Sequence, residues 1–228
     1  MRNLLAILFA VLFIAASCSK KKELVEEINK QEILSQKIKD IIPQQYIDSL
    51  KKLGLTINSD FNPPNIEGTY IATPLVLSAT SVPNDRVRIG GTFTDGKFQL
   101  SAQTSDFDIK LLGRNLLHNR DTSIVTAIAG SGNNFTVYGK VKSTSGTNSA
   151  IFAIIMSGTK DGNTIRDFKM GILNIDDSKS GAGTFIPLGS GRIAVDSDGI
   201  TSSLSQELFT AAARDHVGFG LKYLGTAP

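Results

Sequence analysis

The sequence predicts a mainly β protein, an antiparallel meander closed into a barrel, with a helical segment before it and a helix after it. Three observations carry that reading. Apolar and polar residues alternate with a period of two through much of the region after Asn65. Asp-Gly pairs stand at Asp95-Gly96, Asp161-Gly162 and Asp198-Gly199, where tight turns are expected. Glycine is abundant at 21 residues while tryptophan is absent, a turn-rich composition. These signals predict about eight to ten strands joined mostly by short turns. A meander that long must hide its edges, and closure does so. A two-sheet sandwich is the competitor, but its Greek-key crossings need longer connections.

The chain begins with Met1-Arg2-Asn3 and an apolar run from Leu4 to Ala16. As a helix that run is about 20 Å long, too short to cross a bilayer and suited to the core of a signal peptide. Residues 1–17 are therefore expected to be removed on export. Residues 18–61 read as a helical tether. From Glu23 to Ile42, Leu24, Ile28, Leu34, Ile38 and Ile41 recur at helical spacings. Pro43 interrupts, and a short helix then places Tyr46, Ile47, Leu50 and Leu53 on one face, with Gly54 as its C-cap. The stripe is too short for a coiled coil, so a spacer helix followed by a short helix packed on the domain is the simpler reading.

Asn62-Pro63-Pro64-Asn65 holds the chain extended and opens the barrel domain, residues 62–228. Val87, Ile89 and Phe93 alternate with polar residues, and Asp95-Gly96 is expected to turn that strand into Phe98, Leu100 and Ala102. Ile124 to Ala129 is a buried run, and Phe135, Val137 and Val141 alternate with polar neighbours. Ile151 to Met156 is apolar throughout, so both of its faces should be covered. Phe168, Met170 and Ile172 share one face; the phase then slips to Leu173 and Ile175, which suggests a bulge. Short strands around Phe185-Ile186 and Arg192 to Val195 complete the set. Ser203 is the expected cap of a helix over Leu204 to Arg214, with Leu204, Leu208 and Ala211 on its packed side.

Ala15-Ala16-Ser17-Cys18 resembles the lipobox of bacterial lipoproteins, with Ala15 and Ser17 as variants of its usual residues. The resemblance implies cleavage before Cys18 and lipidation of that sulfur, with palmitate among the expected acyl chains. More than one chain is what stable anchoring needs. Ser19 resembles the outer-membrane sorting pattern, and Lys20 to Lys22 lack the acidic residues of surface-exposed lipoproteins, which implies the periplasmic face of the outer membrane. Two blocks, Pro63-Pro64-Asn65-Ile66-Glu67-Gly68-Thr69-Tyr70 with Pro74-Leu75-Val76-Leu77, and Gly130-Ser131-Gly132-Asn133-Asn134-Phe135-Thr136-Val137-Tyr138, resemble uncharacterised lipoproteins of Bacteroidota. Gly68-x-Tyr70 is similar to the Gly-x-Trp of lipocalins, with Tyr in place of Trp. These likenesses imply a lipocalin-like barrel and bring no activity with them to carry over.

Several chemical motifs fail on inspection. Gly130-x-Gly132 begins like a dinucleotide loop, but a strand follows instead of a helix, so a hairpin turn is expected. Asp196-x-Asp198 with Glu207 mimics a calcium loop, yet Ile200 and Thr201 stand where a ligand and glycine belong. Cys18 is the only cysteine, and His118 and His216 are the only histidines, so no metal set is expected. The net charge of +3 is small and shows no concentrated basic face, which argues against nucleic acid. Asp106 and Asp108 would share one strand face and, with His118, are the one candidate for hydrolysis of envelope lipid or glycan. The leading expectation is a lipid-anchored, non-enzymatic barrel without cofactor. It would bind a small apolar ligand among Phe93, Phe98, Leu100, Phe135, Val137, Phe168 and Met170, or an envelope protein on its outside. A purely structural spacer is the remaining reading.

Overall fold

In the computed structural model, which describes residues 22, 24–114, 116–117, 121–123 and 125–210, two long hairpins form the largest part of the wall. Three strands, β7 (Asn134–Ser145), β8 (Asn148–Asp161) and β9 (Thr164–Lys179), pair antiparallel in sequence order. β6 (Val125–Ser131) flanks β7. The β6–β7 turn falls at Gly132, whose φ of 56° suits glycine, so Gly130-x-Gly132 belongs to a hairpin. Gly130 is required for space as well: a Cβ there would stand 2.1 Å from the Asn134 carbonyl oxygen. The β8–β9 turn falls at Gly162-Asn163, closed by Asp161 and Thr164.

Beyond β9 the order departs from a simple meander. β10 (Gly191–Asp196) and β11 (Ile200–Ser203) both pair with β9, one behind the other. Asp198-Gly199 is therefore a kink within one strand path and not a hairpin. β1 (Gly68–Ala72) and β2 (Leu75–Thr80) lie alongside in the same way, β1 against β11 and β2 against β10, bent at the cis Thr73-Pro74 bond. The first strands are thus inserted between the two hairpin series. β3 (Gly96–Ser101) follows β1, and β4 (Lys110–Arg114) and β5 (Asp121–Thr122) extend the sheet.

The expected hairpin at Asp95-Gly96 does not form. Residues 90–93 bond along β2 through Leu77 N–H to Gly91 O and Phe93 N–H to Leu75 O, 2.9 and 2.8 Å. β3 then continues in the same direction along β1, so Asp95-Gly96 is a bend in line. Val87 and Phe93 are buried, but Ile89 is 63% exposed. Phe185 and Ile186, expected as a strand, belong to a loop that plugs the barrel. The bulge expected where the apolar phase slips from Ile172 to Leu173 is not there: pairing runs unbroken through both, Ile172 facing the interior and Leu173 and Ile175 the helices, and the β8–β9 register shifts only further on, between Ile151 and Phe152, opposite Asn174 to Asp176.

The result is a mainly β, antiparallel sheet nearly closed into a barrel. Its end strands, β5 and β6, are consecutive in sequence, so the chain itself bridges the seam. The edge of β6 is further covered. Gly130 N–H donates to Asp60 O and Asn62 N–H to Gly130 O, while Ile128 N–H donates to Phe107 O. Covering an edge removes a template for unwanted pairing.

Two helices lie on the outside. α1 (24–41) and α2 (Gln44–Lys52) are broken at Pro43, and α2 ends with Gly54 at a φ of 99°. Leu34, Ile38, Ile41, Ile47 and Leu50 bury against Ala127, Ala129, Ala153, Ile155, Leu173 and Ile193 of the barrel's outer face. α3 (Gln206–Thr210) is shorter than expected over its described part. Its cap is Ser205, not Ser203: the Ser205 hydroxyl accepts from Leu208 N–H at 3.3 Å, and Ser203 belongs to β11. Phe209 is its buried residue, whereas Leu208 is 56% exposed; Ala211 to Arg214 lie outside the described residues.

Candidate functional site

The seven residues expected to line a ligand cavity all belong to the buried cluster inside the barrel. Strand alternation brings Phe98 and Leu100 of β3, Phe135 and Val137 of β7, and Phe168 and Met170 of β9 to one interior, with Phe93 arriving from the bend before β3. All are buried at 4% exposure or less. Phe98 stacks on Phe168 with ring centroids 5.0 Å apart, and Tyr70 tilts onto Phe98 at 5.4 Å. Met156, Ile154 and Phe152 of β8 complete the same cluster.

Both ends of the interior are stoppered. At one end the Tyr70 ring closes over the core; its hydroxyl donates to Ile66 O at 3.0 Å and accepts from the Lys160 ammonium at 2.9 Å. That ammonium also sits 5.0 Å from the ring centroid. At the other end two loops meet. Residues 81–91 leave β2 beside the start of β10, where residues 180–190 arrive, and Ser81 N–H donates to Gly191 O. Val82, Val87, Phe185 and Ile186 insert from these loops into the core, with Phe185 edge-on to Phe152 at 5.9 Å.

Sequence reading missed the charged pair that pins this second end. Arg192 of β10 alternates inward with Ala194 and is wholly buried, yet it carries a guanidinium. It grips Asp85 bidentately, Nε to Oδ2 at 2.8 Å and Nη2 to Oδ1 at 2.6 Å. Thr80 Oγ1 donates to the same carboxylate at 2.6 Å and Val87 N–H at 3.0 Å. Burial pushes the Asp85 carboxyl up. The bonds from Arg192, Thr80 and Val87, together with the Arg192 charge, outweigh it and hold the group below its ordinary value. The signal available in the sequence was an arginine in phase with apolar residues of a short strand.

Asp106 and Asp108, expected to share one strand face, do not lie on a strand. They are exposed in a turn that buries Phe107, whose φ is 66°. Lys37 of α1 donates to Asp106 O and to Asp108 Oδ1, both at 2.6 Å, so Asp108 is engaged in fastening α1 to the barrel. Cys18, His118 and His216 lie outside the described residues. In the calcium-like stretch, Asp196 Oδ2 accepts from Thr201 Oγ1 at 2.8 Å and Thr73 N–H at 3.2 Å, while Ile200 N–H donates to Asp198 Oδ1. Burial, and then the adjacent Asp198, raise the Asp196 carboxyl above its ordinary value despite those donors. Among the described residues no group of three His, Cys, Asp or Glu could hold a metal ion, and no helix is long and apolar enough to cross a membrane.

Outside the barrel, a shallow pocket of about 110 Å³ opens between α1, α2 and the segment after α2. Tyr138 forms its floor, and its hydroxyl is pushed well above the usual phenol range by burial. At this size the pocket is too small for an apolar ligand of lipid dimensions. Comparison of the chain with protein-family models, with curated proteins and with solved structures finds no match.

Proposed function

We propose that this protein is a lipid-anchored, non-enzymatic lipoprotein of the outer membrane, facing the periplasm, whose barrel is a solid module that engages an envelope protein by its outer surface. The anchor rests on the leader Leu4 to Ala16 and on Ala15-Ala16-Ser17-Cys18. The choice between carrying an apolar ligand and docking a protein rests on one observation: Phe98 and Phe168 stack inside the barrel, with the Tyr70 ring tilted onto Phe98 at one end and loops locked by Arg192 and Asp85 at the other. A carrier would have to break that pair and displace packed rings to load its cargo. Close packing of this kind resists such rearrangement.

Two measurements test the reading. Radiolabelled palmitate should enter the protein, and C18S should abolish the label, leave the leader uncut and shift the chain out of the membrane fraction in which the cleaved form sits. Native mass spectrometry of protein released from membranes should give the chain with its acyl groups and no further stoichiometric mass. An additional apolar molecule bound one to one would overturn the solid-module reading and restore the carrier.

A further inference from the structure

α1 carries one apolar stripe along its whole length, and only half of it is covered. Leu34, Ile38 and Ile41 are buried against the barrel, at 9% exposure or less. Gln31, one turn earlier, still reaches the body, its Nε2 donating to Ser59 O at 3.4 Å. Leu24 and Ile28 continue the same face, since they precede Gln31 and Ser35 at helical spacing. Leu24 and Ile28 are nonetheless 57% and 56% exposed. A stripe that runs off the end of its own domain needs another apolar surface to cover it.

We propose that this surface is the bilayer: the first two turns of α1 lie in the membrane interface, with Leu24 and Ile28 seated among the acyl chains. The inference rests on the lipid-anchor reading and deepens it. Leu24 is six residue steps from Cys18, so even fully extended the chain holds Leu24 within about 20 Å of the anchored sulfur. The intervening segment is Ser19-Lys20-Lys21-Lys22-Glu23, whose three lysines match an anionic headgroup layer. An apolar face delivered to that layer by a tether this short binds in effect intramolecularly. Ile33 offers an internal contrast: it is 54% exposed but stands about half a turn round the helix from Leu24 and Ile42, on the face turned away. Because α1 is packed on the barrel from Leu34 onward, seating its start would fix the barrel's distance and tilt relative to the membrane.

The chain has no tryptophan, so a single introduced indole reports its own surroundings. The lipidated protein carrying L24W, and separately I33W, is reconstituted in phosphatidylcholine–phosphatidylglycerol vesicles with brominated acyl chains, alongside a palmitate-labelled sample. The indole at position 24 should emit blue-shifted light and lose most of its intensity to the bromine, while that at position 33 keeps its intensity. Palmitate label without quenching at position 24 overturns this inference alone; absence of both label and quenching overturns the anchor with it. Equal quenching at both positions overturns the seating of one face. A blue shift at position 24 without quenching assigns the stripe to a contact with protein, a second copy of this chain, and overturns the membrane assignment.

Discussion

The inside of the barrel and its helix-covered outside are both apolar, yet they are built on different terms. The interior draws on almost every strand and packs aromatic rings and large aliphatic chains against one another. The outer cluster sets alanines of the wall, Ala127, Ala129 and Ala153, under the leucines and isoleucines of α1 and α2. Small residues on the sheet let the helices approach closely, so the wall contributes flatness and the helices contribute volume. β8 shows the consequence: Ile151 to Met156 is apolar throughout because Phe152, Ile154 and Met156 face inward while Ala153 and Ile155 face the helices. The interior should therefore behave as the cooperative unit and the helical cover as a layer that loosens first.

The largest effect that follows is in the interior. Phe98→Ala removes the ring that touches both Tyr70 and Phe168, and should cost about 4 kcal/mol. Denaturant unfolding should show the whole transition moved to lower concentration with its slope kept. A loss confined to local exchange near β3 would break the picture of one cooperative interior.

Next comes the charge inside that interior. Arg192→Met leaves Asp85 buried without its partner and should cost about 3 kcal/mol, whereas the double change Arg192→Met with Asp85→Leu should recover much of it. The pair also gives the interior a pH signature. Asp85 is held below the ordinary value of 3.8, so its contribution is present above that value and lost as pH falls through the lowered one. The stability of the native protein should decline on acidification below about pH 4, and the double variant should lack that part of the decline. An unchanged slope in the double variant would assign the acid loss elsewhere.

The helical cover is expected to respond less. Leu50→Ala empties the contact of α2 with the wall around Gly171 and Gly191, at a cost of about 2.5 kcal/mol. Its diagnostic is regional: hydrogen exchange should quicken in α1 and α2 while β7 to β9 keep their protection. Equal quickening in the strands would mean that helices and barrel form one unit, and would erase the contrast.

What the sequence made legible follows from the same contrast. Runs that are buried on one or two faces over many residues, as in β7, β8 and β9, announced themselves, because the period survives wherever hairpins are long. The helix break at Pro43 and the cap at Gly54 were legible from local chemistry alone. The bend at Asp95-Gly96 was not, since a turn signal reports a change of direction without its partner strand. Phe185 and Ile186 read as a strand for a related reason: an apolar pair that plugs a barrel end has the same composition as one in its wall. The seven interior residues were identified as facing inward, but whether an interior is hollow depends on where opposite walls place their rings. Arg192 was hidden because its charge is offset by Asp85, more than a hundred residues earlier.

The smallest effect sharpens the comparison at the point where the interior meets the strand kink. Asp196 is 5% exposed and held above the ordinary carboxylate value by burial and by Asp198, the reverse of Asp85. A group raised in this way favours the fold when protonated and loses that contribution as pH rises through its raised value. Asp196→Asn keeps an oxygen to accept from Thr73 N–H and Thr201 Oγ1 and removes the buried charge. It should stabilise the protein at pH 7 by up to about 1 kcal/mol, a gain that shrinks as the pH falls through the raised value and the native carboxyl takes up its proton. Thermal melts of both forms across that range would show the difference closing toward acid. A difference that stayed constant with pH would mean that the charge at position 196 is already compensated in the fold, and that Asp85 and Asp196 are not the opposed pair their surroundings make them.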